Sequence, residues 1–193
     1  MNILLVPQIV LDRDNNLAIM IDTRLFDFFN FCFKKENLFL NYSNFHKNTK
    51  IDLIVISGGN NLINKKKNDL YRFRISKKIF KYGLLNNIPI LGICYGAQLI
   101  SSIYNCKIKK VIGHVRNKHY VFSTNQKRLV NSYHNYAIHF NNSKKLKPIM
   151  FDSNDNIEMF NIINKKITGI MWHPERNKSY DYRDIKIIRD LCN

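Results

Sequence analysis

Residues 88–98 read IPILGICYGAQ, and this stretch decides the fold. It opens with the apolar run Ile88–Ile93, which is typical of a buried strand of a parallel sheet. Gly92 and Gly96 lie two residues on either side of Cys94. A nucleophile on a sharp turn from strand to helix needs small residues at these two positions, because any Cβ there would crowd the turn. The stretch therefore predicts a strand, a nucleophile elbow at Cys94 and a helix that starts at this cysteine.

The predicted helix also prepares Cys94 for chemistry. Its N-terminal dipole would favour the thiolate and lower the pKa of Cys94. The backbone N–H of Tyr95 would then point to the place where an oxyanion forms. The structural alternative is a buried cysteine in an incidental glycine-rich turn.

A second motif, MWHPE, lies at the end of the apolar run Ile167–Trp172. Residues i and i+2 of an extended segment project to the same side, so His173 and Glu175 can sit together. The carboxylate would hold the imidazole in the tautomer that accepts a thiol proton. Pro174 removes a ladder donor, which suits the end of a strand. A lone histidine there is usually structural, but together with Cys94 it predicts a Cys-His-Glu triad.

The third motif is SGGN at residues 57–60, directly after the apolar run Leu53–Ile56. Two glycines at the carboxyl end of a strand let backbone N–H groups approach a ligand closely. They predict the second half of an oxyanion hole, supplied by Gly59 in preference to Gly58, with Gly58 beside the substrate. An ordinary β-turn is the alternative.

Apolar runs alternate with segments of helical spacing along the chain, which predicts an α/β domain with a parallel sheet. Helices are predicted over about residues 20–35 and over 69–84. The predicted buried face of the second helix consists of Leu70, Phe73, Phe80 and Leu84. Residues 107–130 contain short β-like runs, among them 111–112, and predict a small antiparallel excursion. Since no linker or repeat interrupts the chain, we predict one domain over residues 1–193.

Composition and charge limit the classes of function. The chain has 193 residues, of which 45% are hydrophobic, as in soluble globular proteins. It shows neither a signal peptide nor a run of about 18 apolar residues, so we expect a cytoplasmic protein without membrane association. The net charge of +17 reflects either codon bias or a partner or substrate that carries phosphate. No nucleic-acid motif is present, and no nucleic-acid partner is expected.

The cysteines argue against a metal or disulfide framework. They are far apart and form no Cys-x-x-Cys pair, which is unlike a zinc site. One of them can be a nucleophile, and the others are expected to be small core residues. These four residues are Cys32, Cys94, Cys106 and Cys192.

The three motifs together resemble the class I glutamine amidotransferases. The order of a Gly-Gly loop, Gly-x-Cys-x-Gly-x-Gln and His-Pro-Glu is that of the family. The resemblance implies a flavodoxin-like fold with a central, mainly parallel sheet flanked by helices. It also implies attack of Cys94 on a γ-glutamyl amide, a glutamyl thioester, and hydrolysis to glutamate. Gln98 would help to hold the glutamyl group, and no metal or organic cofactor is expected.

Further segments resemble the stand-alone hydrolases of this family, such as those acting on γ-glutamyl-γ-aminobutyrate. The stretch VNSYH at 130–134 is the better match, and 13–15 with 21–24 is a looser one. By this resemblance Ser132 and His134, with Tyr133 between them, would contact the glutamyl amino and carboxylate groups or shape the loop around them. Loop capping is the alternative. A histidine-bearing segment at residues 113–119 has a counterpart in that branch, where Arg116 and Lys118 are expected to be solvated loop residues.

The size and basic character resemble those hydrolases that remove the glutamyl group from a nucleotide-linked phosphoramidate during capsule biosynthesis. The expected substrate is γ-glutamyl-CDP-amidate, which gives cytidine diphosphoramidate, and its diphosphate would use the surplus lysine and arginine. No obligatory protein partner is expected. The alternatives are a glutaminase subunit that supplies ammonia to a separate synthase and a hydrolase of a simple γ-glutamyl amine. A cysteine peptidase of related fold and a non-catalytic binding protein are further alternatives.

Overall fold

The computed structural model describes residues 1–34, 37–40 (backbone only), 50–64, 66–140 and 143–193. The helices are α1 (Arg24–Phe33), α2 (Lys67–Leu85), α3 (Tyr95–Ile103) and α4 (Tyr182–Cys192), with a 3-10 helix at Pro174–Arg176. The strands of the N-terminal half are β1 (Asn2–Val6), β2 (Gln8–Leu11), β3 (Leu17–Met20), β4 (Asn37–Leu40), β5 (Leu53–Ile56) and β6 (Ile90–Ile93). The C-terminal half adds β7 (Lys107–Lys110), β8 (Val115–Phe122), β9 (Lys127–Tyr133), β10 (Tyr136–His139), β11 (Leu146–Phe151), β12 (Ile157–Ile162) and β13 (Ile167–Ile170).

The parallel part of the main sheet has the order β4-β1-β5-β6-β13. Helices cover both of its faces, which is why β5, β6 and β13 are buried along their whole length. Successive side chains of β1 point to opposite faces of the sheet. Ile3 and Leu5 pack towards α1 and α4, whereas Leu4 and Val6 pack towards α2 and α3. The α/β fold with a mainly parallel, helix-flanked core is therefore confirmed.

The order β5-β6-β13 brings the three sequence motifs to one edge of the sheet. Ile56 is in register with Gly92, and Ile93 is in register with Ile170. These strands run in the same direction, so the segments that follow them leave the sheet side by side. Ligands of open α/β sheets bind at this carboxyl edge.

An antiparallel part continues the sheet in the order β13-β12-β11-β8-β9, and β10 pairs with β12 and β7. It extends to Ile162, well beyond the predicted excursion over 107–130. A turn explains the extension: Asp152 Oδ1 accepts from the N–H groups of Asn154 and Asn156, at 2.8 Å each, and reverses the chain between β11 and β12. The hairpin β2–β3 forms a separate two-stranded sheet.

Two local predictions are wrong. Residues 111–112 are not a strand, because β7 ends at Lys110 and Ile112 lies in an exposed turn before Gly113. Helix α2 is present, but its buried face differs from the predicted one: Leu70 is 41% exposed and Ile79 is buried. The reason is that this face also buries polar residues, which hide the apolar period. They are Asp69, Arg72 and Ser76.

Helix α1 buries Leu25, Phe28, Phe29 and Cys32, as its spacing predicts. It is shorter than the predicted helix over 20–35, whose last residue lies outside the described part of the chain. Among the described residues, none of the helices has the length and apolar character required to cross a membrane.

Candidate active site

Cys94 occupies the predicted elbow between β6 and α3. Its φ of 51° lies in the left-handed region, and its N–H donates to the carbonyl of Ile170 at 2.8 Å. Gly96 is required here, because a Cβ at this position would overlap the backbone carbonyl of Ile56 on the neighbouring strand. Cys94 is thus held at the first turn of α3 and is 7% exposed.

His173 lies next to Glu175, and both are buried. Nδ1 of His173 is 2.6 Å from Oε1 of Glu175. The two residues meet through a 3-10 turn, not through the alternation of a strand as expected, because β13 ends at Ile170 and Pro174 starts the 3-10 helix. Since Nδ1 faces the carboxylate, Nε2 is the ring nitrogen available to Cys94. His173 is close enough to Cys94 for each group to shift the pKa of the other.

The electrostatics favour a charged Cys94–His173 pair. Burial opposes the charge on both groups. For His173, the Glu175 carboxylate and the Cys94 hydrogen bond outweigh burial and raise its pKa to about 9. For Cys94, the hydrogen bond and positive charge of His173, with a smaller contribution from His134, outweigh burial and lower its pKa.

Arg72 of α2, which is fully buried, binds the glycine loop that follows β5 (residues 57–60). Its Nη2 donates to the Ser57 carbonyl at 2.6 Å, and its Nη1 donates to the Gly58 carbonyl at 2.9 Å. In a trans peptide the N–H points away from the C=O, so the N–H of Gly59 points away from Arg72. Gly58 itself packs on the imidazole of His173, where a Cβ would overlap the ring.

A cleft of about 240 Å³ opens above Cys94. Its walls carry arginine, amide and aromatic side chains, and none of the described residues that line it is acidic. The lining residues that concern substrate binding are Gly59, Tyr95, Gln98, Arg116, Tyr133, His134, His173 and Arg176. An anionic ligand would find favourable charge at the mouth of this cleft.

Most of the predicted substrate residues line the cleft. Gln98, Tyr133 and His134 do, and the Nε2 of Gln98 donates to the carbonyl of Tyr136 at 2.8 Å. Ser132 does not, because its hydroxyl is buried and donates to the carbonyl of His114 at 2.6 Å. This contact fits the alternative that Ser132 shapes the loop around the substrate, and a direct contact of Ser132 with the glutamyl group stays a prediction.

Sequence patterns did not identify three groups at the site. Arg72 is a charged residue within a helix, so its position in the sequence suggested an exposed side chain and not a buried one. Asn131 lies within VNSYH, but its contacts are with the backbone of His173, 42 positions away. Arg116 is exposed, as expected of a solvated residue, but it also lines the cleft, and its φ of 53° lies at a bulge where β8 pairs with β9.

Sequence comparisons place the site in a family. The family model "Glutamine amidotransferase class-I" matches residues 32–188. The γ-glutamyl-CDP-amidate hydrolase of Campylobacter jejuni is 35% identical over 146 residues, which cover 72% of this chain and 69% of that protein. The glutamine-hydrolysing GMP synthase subunit of Methanococcus vannielii is 27% identical over 164 residues, which cover 79% of this chain and 78% of that protein.

Solved structures share the fold. A protein from Thermoplasma acidophilum, described as a candidate GMP synthase subunit, has a TM-score of 0.74 at 19% identity, and the match covers 100% of this chain and 92% of that one. A glutamine amidotransferase from Thermotoga maritima has a TM-score of 0.65 at 16% identity, with 98% and 82% covered. The resemblance expected from the three motifs is confirmed, and this chain belongs to the class I glutamine amidotransferase family.

Proposed function

We propose that the protein, as one domain, hydrolyses a γ-glutamyl amide bond through a glutamyl thioester on Cys94. The observation that carries this proposal is the array of Cys94 and His173 in the lining of the cleft, with Glu175 buried behind His173 at 2.6 Å from its Nδ1. A nucleophile, a base and a residue that orients the base are the parts that acyl transfer requires.

In the proposed mechanism, Cys94 and His173 exist as a thiolate–imidazolium pair at neutral pH. The thiolate attacks the γ-carbonyl of the substrate, and the C–S bond forms while charge collects on the carbonyl oxygen. The N–H groups of Tyr95 and Gly59 stabilise that oxyanion. Tyr95 fits this role because it opens α3 and its N–H lies in the first turn of the helix, without an intrahelical acceptor.

The C–N bond breaks as His173 gives its proton to the leaving nitrogen. Water, which loses a proton to the same histidine, then attacks the thioester, and the C–S bond breaks to release glutamate and restore the Cys94 thiolate beside the protonated His173. Glu175 keeps the ring oriented throughout. These steps use side chains and backbone groups of the chain, and the proposal requires no cofactor.

The proposed substrate is γ-glutamyl-CDP-amidate, which would yield cytidine diphosphoramidate and glutamate. Two observations support it. The Campylobacter jejuni relative bears the name of this activity. The cleft also presents the exposed Arg116, with no acidic residue among the described ones that line it, which suits a diphosphate. Arg176 lines the cleft as well, with its Nε 3.3 Å from Oδ2 of Asp22.

A second candidate is a glutaminase subunit that passes ammonia to a separate synthase. The relative from Methanococcus vannielii, which is named as part of a synthase, favours it. Such a protein would have little activity alone and would need its partner. Arg116 in the lining of the cleft favours the nucleotide substrate over glutamine.

Glutamate release from a panel of substrates tests the proposal. The panel contains glutamine, γ-glutamyl-γ-aminobutyrate, a γ-glutamyl dipeptide and γ-glutamyl-CDP-amidate. We expect strong preference for the nucleotide compound and loss of turnover in Cys94→Ala, while Cys192→Ala, which alters a cysteine outside the cleft, retains it. Preference for a simple γ-glutamyl amine would overturn the proposed substrate but not the proposed thioester mechanism. No glutamate release from any of the four compounds would favour the glutaminase subunit.

A further inference from the structure

A second cluster of ionisable side chains lies in the antiparallel part of the sheet and adjoins the cleft through His134. It contains His114, His119, His134 and Glu158, with Asp152 at its edge. The rings of His114 and His119 are 4.6 Å apart, and those of His114 and His134 are stacked at 5.0 Å. The proposed reaction uses none of His114, His119 and Glu158.

Glu158 is the unusual member, because its carboxylate is completely buried. Within the described residues, its ion-pair partners are histidines alone, with no lysine or arginine. Oε2 lies 3.4 Å from Nε2 of His119, and Oε1 lies 3.5 Å from Nε2 of His134. Charge-assisted hydrogen bonds are shorter, at about 2.7–2.9 Å. Both carboxylate oxygens accordingly lack a hydrogen-bond partner of good geometry.

We propose that His114, His119 and Glu158 bind a divalent transition-metal ion, for which Zn²⁺ is the best fit. One ligand atom from each of the three lies within 4.8 Å of the others. Two atoms bound to one zinc ion at about 2.0–2.1 Å in tetrahedral geometry are about 3.3–3.4 Å apart. The distance of 3.4 Å between His119 Nε2 and Glu158 Oε2 has this value. The proposal does not rest on the proposed function.

His114 has the environment of a metal ligand. Its Nδ1 is buried without a partner, whereas its Nε2 lies 3.3 Å from Oδ2 of Asp152. Histidines that bind metals commonly donate their other ring N–H to a carboxylate, which sets the ring orientation and the free nitrogen. The same Asp152 oxygen accepts from Nδ2 of Asn156 at 2.9 Å, so this carboxylate is itself held in place. His114 would therefore bind the ion through Nδ1.

The ligand chemistry and access also fit. Two imidazoles and one carboxylate form a set that zinc takes in proteins, and a buried metal site needs an entry path. His119 provides that path, because its side chain is 16% exposed while that of Glu158 is 0% exposed. Sequence patterns reveal only part of the site: His114 and His119 are five positions apart, but Glu158 follows 39 positions later and no second close pair of ligands completes a zinc motif.

The ion would fasten the β8–β9 hairpin to the rest of the sheet. His119 lies on β8 and Glu158 on β12, whereas the hydrogen-bonded register between β8 and β11 is limited to the pair Phe122 and Phe151. The hairpin carries groups at the active site, namely Arg116, Asn131 and Tyr133. A metal that bridges β8 and β12 would hold these groups in position.

The test uses untagged, full-length Cys94→Ala protein, so that Cys94 and His173 cannot bind the metal together. The protein is stripped with a chelator and titrated with Zn²⁺ by calorimetry, and bound zinc is counted by elemental analysis. We expect one Zn²⁺ per chain and a higher melting temperature with the ion. In this background His119→Ala should weaken binding about 100-fold or more, whereas His139→Ala, outside the cluster, should leave it unchanged.

Asp152→Asn provides a milder second variant, expected to weaken the affinity about 10- to 100-fold with the ligands intact. Circular dichroism confirms that each variant is folded. Absence of stoichiometric Zn²⁺ binding by the Cys94→Ala protein would overturn the proposal and leave an imidazole–carboxylate network. Equal binding by His119→Ala and His139→Ala would overturn it as well.

Discussion

Asn131 binds both backbone groups of His173. Its Nδ2 donates to the His173 carbonyl at 2.7 Å, and its Oδ1 accepts from the His173 N–H at 2.8 Å. The contact joins β9 to the segment after β13, and Asn131 is buried. The position of the candidate base therefore depends on a side chain from the β8–β9 hairpin.

Replacement of Asn131 should reduce turnover more than substrate binding. In Asn131→Ala the His173 N–H loses the Asn131 acceptor and its carbonyl keeps only the N–H of Arg176, and a displacement of about 1 Å at a catalytic group costs about 100-fold in rate. Asn131→Asp keeps the acceptor and loses the donor, so its kcat should lie between those of Asn131→Ala and wild type. Steady-state kinetics on the preferred substrate measures this order. An unchanged kcat in Asn131→Ala would show that His173 is positioned without Asn131.

The opposite pKa shifts of Cys94 and His173 favour a thiolate–imidazolium pair. The pKa of Cys94 is lowered and that of His173 is raised to about 9, so the pH range in which both groups are charged is widened. Activity should fall at low pH, as the thiolate is protonated, and fall again as pH rises through about 9, where His173 loses its proton. Ultraviolet absorbance of the thiolate, taken as wild type minus Cys94→Ala, measures the first step. A thiolate that appears only at alkaline pH would contradict the ion pair.

A matched alkylation experiment uses the other cysteines as controls. Burial raises the pKa of Cys192 to about 11, so it should remain a thiol where Cys94 is ionised. Limited iodoacetamide at neutral pH should therefore label Cys94 first, as peptide mass spectrometry reports. Preferential labelling of Cys192 would argue against an activated Cys94.

Arg116 distinguishes the nucleotide substrate from simple amides. A guanidinium that contacts a phosphate contributes about 1.5–3 kcal/mol, so Arg116→Ala should raise the KM for γ-glutamyl-CDP-amidate about tenfold or more. The KM for glutamine, whose leaving group is uncharged, should change little. Lys118→Ala is the control, because Lys118 is exposed on the same strand and does not line the cleft. Equal losses on both substrates would instead assign Arg116 to the glutamyl carboxylate.

A buried ion pair anchors the segment that leads to His173. Nη2 of Arg128 lies 2.9 Å from both oxygens of Asp184, and Trp172 Nε1 donates to the same carboxylate at 2.9 Å. Removing one partner of such a pair leaves a buried charge, so Asp184→Ala should lower the free energy of unfolding by about 3–5 kcal/mol. Asp190→Ala breaks an exposed pair with Lys186 and should cost less than about 1 kcal/mol. Urea unfolding compares the two, and equal costs would contradict the stabilising role of the buried pair.

Local patterns in the sequence predicted those parts of the fold that they encode. The strand β6, the elbow and α3 follow from one stretch, because two glycines and an apolar run restrict the backbone there. The three motifs meet because parallel strands share a carboxyl edge. These inferences need only the order of elements and the direction of the sheet.

The rest depends on contacts between distant segments. Arg72 holds the glycine loop from a helix that follows it, and its charge disguised the buried face of α2. Asn131 reaches His173 across the sheet, and a bulge turns Arg116 into the cleft. Glu158 lies in an apolar strand and meets its histidines only in the folded chain. No periodicity or spacing reports such pairs.

The most direct test of the proposed mechanism is a search for the glutamyl thioester. Wild-type protein is mixed with γ-glutamyl-CDP-amidate, quenched in acid within the first turnovers, digested and analysed by mass spectrometry. We predict a glutamyl adduct on the peptide that contains Cys94, absent in Cys94→Ala and present in Cys192→Ala. Glutamate release by Cys94→Ala at the wild-type rate, without an adduct in either protein, would contradict the mechanism.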